Sequence, residues 1–243
     1  MILDDFVMLG TTVPEQTLSD GRIHVCSAGI SSEYRGLIRI YPLARLDIPN
    51  RWSIYRVPVE RNPKDSRRES FKVRGDRSDP ERNHLFKKVG EVDPAGRAEL
   101  LKKYIVGSIH EANEKRLSLA VVQPSFGAMR FRPNLDSPDF PSLFEDIKKP
   151  VGEGSKRFPY IPYLTFWDDG GQHDLQIRDW GCYEWMRKYP DRYQEIQSGL
   201  HLSDSSSLLI GNMNGHRNTW LIISVLNGLK TNQMDLFDNL VAS

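Results

Sequence analysis

The sequence predicts an α+β fold, a single domain over residues 1–243 with a largely antiparallel mixed sheet and two to three helices. Three observations lead there. Short runs rich in β-branched and aromatic residues outnumber helical ones, one stretch after Pro94 keeps a clear helical period, and neither a repeat nor a linker divides the chain. At 243 residues the chain is long enough to bury a substantial core.

Taken in order, Arg22–Ser27 and Leu37–Tyr41 read as strands, and GISSEYRG between them, bounded by Gly29 and Gly36, reads as a binding loop. Ser53–Glu60 alternates like a strand, with Pro58 marking it as an edge strand or a broken one. Asn62–Asn83 is polar and rich in breakers, and is expected as an extended loop that orders on a ligand. Asp93 suits an N-cap with Pro94 at the first helical position. Leu100, Leu101, Tyr104, Ile105 and Ile109 then recur at helical spacing through about Asn113. Leu117–Val122 is strand-like and stops at Pro124. Asn134–Gly154 reads as a connector with one helical turn at Leu143–Ile147. Tyr160–Trp167 and Asp174–Ile177 pair around the turn DDGGQ. A helix starts at Arg178 or Asp179 and ends at Pro190, with a second helical piece to about Ser198. Ser207–Ile210 and Trp220–Leu226 flank the turn-rich GNMNGHRN as a closing hairpin, and Met234–Val241 reads as a short amphipathic helix.

Composition excludes several classes. The richest apolar stretch, Trp220–Leu226, falls far short of the roughly 18–20 residues of a membrane span. The start MILDDFVMLG lacks the basic residues of a secretory signal, so the expectation is a cytoplasmic protein with no membrane partner. Cys26 and Cys182 cannot supply a disulfide framework or a four-cysteine zinc site. No phosphate-loop, dinucleotide, serine-hydrolase or zinc-protease signature occurs and the six His are scattered, so nucleotide-driven, hydride-transfer and serine-hydrolase chemistry and a zinc site are not expected.

The overall balance of 33 Lys+Arg to 32 Asp+Glu hides an uneven distribution. Between Arg51 and Lys88 lie 12 basic and six acidic residues, an excess of +6 that leaves −5 for the remainder. Such a block, with Arg61, Lys64, Arg67, Arg68 and Arg74 near its centre, suits the phosphates of a nucleic acid and equally suits a solvated, ion-paired loop. Arginine dominates it, and a guanidinium forks onto phosphate as an ammonium cannot.

Two carboxylates stand out. Asp179, at the junction of a strand and a helix beside Trp180, is placed either to cap that helix or to act as a water-orienting base held ionised by the helix N-terminus. Asp65, within NPKDSRRES, either shapes a turn or acts on a substrate gripped by the neighbouring cations. Pro138–Asp139 followed by Asp146–Ile147–Lys148 echoes a Mg²⁺-nuclease pattern, with a gap of six residues and no strand pairing to support it. Aromatic residues cluster from Phe158 to Trp185; most belong in a core, and one or two near Asp179 could stack on a flipped base.

Four blocks together, VCSAGISSEYRGLIRIYPL, RWSIYRVPVERNPKDSRRES, HDLQIRDW and LLIGNMNGHRNTWLIISV, resemble a family of small prokaryotic phage-defence proteins. They are also similar to antiviral DNA glycosylases that excise glucosylated hydroxymethylcytosine. Leu37 stands where that family's pattern carries a Trp. The resemblance implies a DNA glycosylase that hydrolyses an N-glycosidic bond in modified phage DNA and leaves an abasic site, with DNA as partner and with no metal and no nucleotide cofactor needed. A carboxylate beside C1′ would stabilise the oxocarbenium character of the sugar. Asp179 is the first candidate for it and Asp65 the second. Arg67, Arg68 and Arg74 would hold phosphates, Trp180 or Tyr41 would line the base pocket, and His173, Gln176 and Asn212 would contact the sugar on the base. The alternatives are a metal-dependent nuclease restricting modified DNA and a reader that flips and binds the base without cutting it. The sequence leaves the oligomeric state open.

Overall fold

The computed structural model describes residues 1–16, 23–44, 50–75, 82–134, 158–196, 202 and 206–226. The chain is mostly β, with three α-helices among the described residues, so the α+β class holds in outline. Its organising feature is a closed barrel.

Five strands form the ring: β1 (Ile2–Thr11), β3 (Ile23–Ser31), β4 (Tyr34–Ala44), β5 (Ser53–Arg61) and β6 (Ser70–Val73). They follow one another around it in the order β1-β3-β4-β6-β5, and β5 pairs back to β1 to close it. Every joint is antiparallel except β4–β6, where Arg39 and Ile40 run parallel to Ser70 and Phe71. This is a Greek-key closure of the OB type, a likeness of fold that assigns no function. The short β2 (Glu15–Gln16) extends β3, and β7 (Lys87–Glu91) extends β5.

The period of two in these strands sorts residues between two cores. Leu3, Phe6 and Met8 of β1, Ile38 and Ile40 of β4, Tyr55, Val57 and Val59 of β5, and Phe71 and Val73 of β6 fill the barrel. Their neighbours Val7, Leu9, Ala28, Ile30 and Leu37 point outward, yet they are buried too. They meet Leu119, Val121, Leu209 and Ile223 of a second sheet, whose strands are β8 (Ile105–Val106), β9 (Leu119–Val122), β13 (Ser207–Met213) and β14 (His216–Leu226). The opposite face of that sheet, with Ala120, Val122, Leu208 and Ile210, packs on a three-stranded sheet and a helix. The three strands are β10 (Ser125–Pro133), β11 (Tyr160–Asp168) and β12 (Gly171–Gln176). The second sheet is thus buried on both faces, which explains the unbroken apolar run LAVV of β9. At the closest approach a Cβ on Gly10 would lie 2.4 Å from the Ser224 Cβ, so only glycine lets β1 meet β14 here.

The helices are short. Asp93 caps α1 (Pro94–Lys102) by accepting from the Ala95 N–H, as its sequence suggests. The expected run to Asn113 is broken after Lys103 by β8, and Ser108 opens α2 (Ile109–Glu114) by accepting from the Glu111 N–H. α3 (Trp180–Lys188) follows Asp179, and a 3₁₀ stretch, Pro190–Glu195, follows that. No helix among the described residues is long and apolar enough to cross a membrane.

Several strand expectations change. GISSEYRG is mostly strand, with a tight turn at Ser32–Glu33 between β3 and β4. The expected loop Asn62–Asn83 contains β6. Pro58 lies inside a barrel strand: it pairs opposite Ile2 at the very start of β1, and its carbonyl still accepts from the Arg74 N–H at 2.9 Å. Leu143–Ile147, Met234–Val241 and the residues of the nuclease-like pattern lie outside the described residues.

Candidate functional site

The loop joining β5 to β6 carries the densest part of the basic block, and its own side chains fold it. Asn62 Nδ2 donates to the Tyr41 carbonyl at 3.1 Å, the Lys64 N–H donates to Asn62 Oδ1, and the Arg61 guanidinium donates to the carbonyls of Arg67 and Arg68. At its centre Asp65 is buried and accepts four hydrogen bonds. They come from Arg67 Nε at 2.8 Å, Arg67 Nη2 at 2.5 Å, the Arg67 backbone N–H at 3.1 Å and the Ser70 hydroxyl at 2.7 Å. Burial pushes the Asp65 carboxyl up, but the bonds from Arg67 and Ser70 and the charge of Arg67 outweigh it and hold it at about 2. Arg67, fixed in this way, reaches with Nη1 to the Asn212 carbonyl at 2.7 Å and ties the barrel loop to β13.

A depressed carboxylate stabilises the fold wherever it is ionised in the native state. The advantage of the native chain over an Asp65→Asn variant is therefore expected in full above the ordinary carboxylate value of 3.8, and it disappears as pH falls through about 2. Urea unfolding of both proteins between those limits checks this; a difference independent of pH would contradict it.

Beside the loop opens a cavity of about 480 Å³. Its walls are the start of β4 (Tyr34 to Leu37), the loop from Ser66 to Glu69, the turn after α2 (Lys115 to Leu119) and the β13–β14 hairpin with Asn212 and Arg217. Six cations and one carboxylate, Glu69, line it. Arg67 is paired with Asp65 and Lys115 with Glu111. Arg35, Arg68, Arg116 and Arg217 are exposed and have no carboxylate partner among the described residues. Behind the wall lies buried Arg39, which donates to the carbonyls of Ser118 at 2.9 Å and Asn212 at 3.3 Å. The cavity is therefore strongly electropositive, with guanidinium groups free to fork onto an anion.

Arg116 adds a second signal. Its φ is +54°, the left-handed conformation that closes α2: the Arg116 N–H returns to the Asn113 carbonyl and the Leu117 N–H to the Ala112 carbonyl. Glycine is the favoured residue at this position of a helix end, and an L side chain there costs roughly 1–2 kcal/mol. Strain of this kind gathers where a side chain is needed for a task other than stability.

Of the residues singled out from the sequence, the structure brings Arg67, Arg68 and Asn212 to this cavity, with Lys64 and Asp65 in the same loop and Arg61 beside it at the end of β5. Arg74 is exposed just past the end of β6, and Tyr41 is joined to Asn62 on the outside of the barrel. The others are elsewhere. His173 and Gln176 sit on β12, with His173 Nε2 2.9 Å from Asp168 Oδ1, and Trp180 is buried between the second sheet and the three-stranded sheet.

Asp179 is buried and fully engaged. Its Oδ1 accepts from the Gly181 N–H at 2.7 Å, while Oδ2 accepts from Arg51 Nη2 at 2.9 Å and the Val225 N–H at 3.0 Å. It caps α3 and bonds the barrel's Arg51 to the second sheet, which is the capping alternative the sequence offers. Among the described residues no three His, Cys, Asp or Glu side chains are grouped to hold a metal ion.

Sequence reasoning misses Arg35, Glu69, Lys115, Arg116 and Arg217 as members of one site. Arg35 and Arg217 lie in GISSEYRG and GNMNGHRN, which read as a binding loop and a turn, so a local signal is present. Their convergence comes from the packing of the second sheet against the barrel.

Residues 4–103 match the family described as a domain of unknown function, DUF8758, a span that holds nearly all of the barrel, α1 and two of the four walls of the cavity. No curated protein and no solved structure matches the chain.

Proposed function

We propose that this chain recognises nucleic acid, with phosphate groups held by Arg35, Arg68, Arg116 and Arg217. The observation that carries the reading is that four arginines from four distant parts of the sequence, without a carboxylate partner among the described residues, line one cavity. Phosphate binding by guanidinium groups accounts for their number and for the strain at Arg116.

Modified phage DNA is the ligand class supplied by the sequence resemblance, and excision of glucosylated hydroxymethylcytosine to an abasic site is the reaction we propose on it. Hydrolysis of the N-glycosidic bond needs a carboxylate beside C1′. Asp65 and Asp179 are saturated by hydrogen bonds, which leaves Glu69 as the carboxylate in the cavity lining. A reader that binds the modified base without cutting it is the second reading, and the saturation of both aspartates favours it.

Purified protein with EDTA is incubated with glucosylated phage DNA and with unmodified DNA, then treated with mild alkali. Breaks confined to modified DNA and appearing only after alkali are the expected result of excision. A gel shift with intact strands supports the reader. Breakage that requires Mg²⁺ contradicts both and favours the nuclease.

A further inference from the structure

Three polar groups in the cavity lining are buried without a hydrogen-bond partner among the described residues: Glu69 Oε1, Asn212 Oδ1 and Ser118 Oγ. Their chemistry differs from that of the arginines around them. Asn212 Nδ2 donates to the carbonyls of Leu117 at 3.3 Å and Arg217 at 3.0 Å, which fixes the orientation of the amide and makes the orphan atom an acceptor. Glu69 Oε1 is an acceptor as well, and no guanidinium among the described residues donates to it. Leaving buried acceptors unmet is unfavourable, and native proteins seldom do so without a reason.

An anion alone does not answer these groups. A bare phosphate satisfies the arginines, but it is itself an acceptor and is repelled by Glu69. The cavity asks for a ligand with two ends: an anionic group for Arg35, Arg68, Arg116 and Arg217, and a hydrogen-bond donor for the Glu69 carboxylate, the one acidic group in its lining. A volume of about 480 Å³ lies within the range of small-ligand pockets, roughly 300–1,000 Å³, so both ends can be seated together. Tyr34 lies close by: burial pushes its hydroxyl up, and the charge of Glu69 pushes it further.

We infer that Glu69 is a specificity-determining residue. It accepts a hydrogen bond from the exocyclic amine or sugar hydroxyl of a nucleotide whose phosphates the arginines hold. The inference rests on the nucleic-acid reading above and adds what the site discriminates. Carboxylates read the amine of cytosine in this manner elsewhere. A charge-assisted hydrogen bond of this kind corresponds to about a tenfold preference over a ligand that lacks the donor.

The test uses three single-stranded oligonucleotides of one sequence, carrying glucosylated hydroxymethylcytosine, plain cytosine or an abasic site at the centre. Fluorescence anisotropy at low salt compares the native chain with Glu69→Ala and Glu69→Gln. The two base-bearing strands are checked after alkali so that turnover is not read as weak binding. The native chain is expected to prefer a base-bearing strand over the abasic one by about tenfold. Glu69→Ala is expected to abolish that preference while abasic affinity holds or rises, because a negative charge has left the cavity. Glu69→Gln, which keeps an acceptor without the charge, falls between. The glucosylated and plain strands together show whether hydroxyl or amine supplies the donor. Equal native binding to all three strands, or a preference that survives in Glu69→Ala, overturns the inference and leaves the nucleic-acid reading standing. Failure of the native chain to bind any of the strands overturns both.

Discussion

Asp179→Ala is expected to lower the free energy of unfolding by about 3–5 kcal/mol, the largest effect expected of a single replacement in this chain. The carboxylate is 2% exposed and meets Arg51, the Gly181 N–H and the Val225 N–H. Its removal takes the carboxylate from the half-buried Arg51 guanidinium, which keeps its bond to the Val225 carbonyl, and strands two backbone donors, one in α3 and one in β14. One of those donors is the cap of α3, worth about 1 kcal/mol by itself. For a domain of this size the loss corresponds to a fall in Tm of about 10 °C. Thermal and urea unfolding measure it. A catalytic Asp179 would behave differently, because removing a general base leaves stability nearly unchanged or raises it while abolishing turnover.

Arg116→Gly is expected to move stability and binding in opposite directions. Glycine relieves the left-handed conformation at the end of α2 and should raise stability by about 0.5–1 kcal/mol, after allowance for the greater freedom of glycine in the unfolded chain. The same change removes one of the four unpaired cations from the cavity. Affinity for single-stranded DNA at low salt should fall several-fold, and the slope of log K against log salt should shrink by about 0.7 for each phosphate that the protein no longer neutralises. A rise in stability with binding and slope unchanged would show that Arg116 does not touch the ligand. A fall in stability would show that the side chain is held by interactions that outweigh the backbone strain.

What can be read from the sequence is mostly local. The cap at Asp93, the helix after Asp179, the β11–β12 pair and the closing hairpin each depend on residues close in the chain, and each is present. The barrel depends on distant partners. β1 gives no alternation because Phe6 and Met8 face the barrel interior while Val7 and Leu9 face the second sheet, so both faces are apolar. β6 spans four residues inside a charged loop and exists because it fits between β4 and β5.

The site shows the same division. The cluster around Asp65, Arg67 and Arg68 and the lone Asn212 are visible as residue types. Arg35, Arg116 and Arg217 are single cations in unrelated turns, and only the docking of the second sheet on the barrel places them around one cavity. That docking also separates His173, Gln176 and Trp180 from the basic loop, because they belong to the third layer, on the far side of the second sheet.

The central claim is that the basic cavity binds nucleic acid. Its most direct test is the affinity for a fluorescent single-stranded oligonucleotide across a salt series, for the native chain and for Arg35→Ala/Arg68→Ala/Arg217→Ala, with the fold of both checked by circular dichroism. The account predicts salt-sensitive binding by the native chain, and a folded variant whose affinity collapses and whose log–log slope falls by about 2. Equal affinity and equal slope for the two proteins would contradict it.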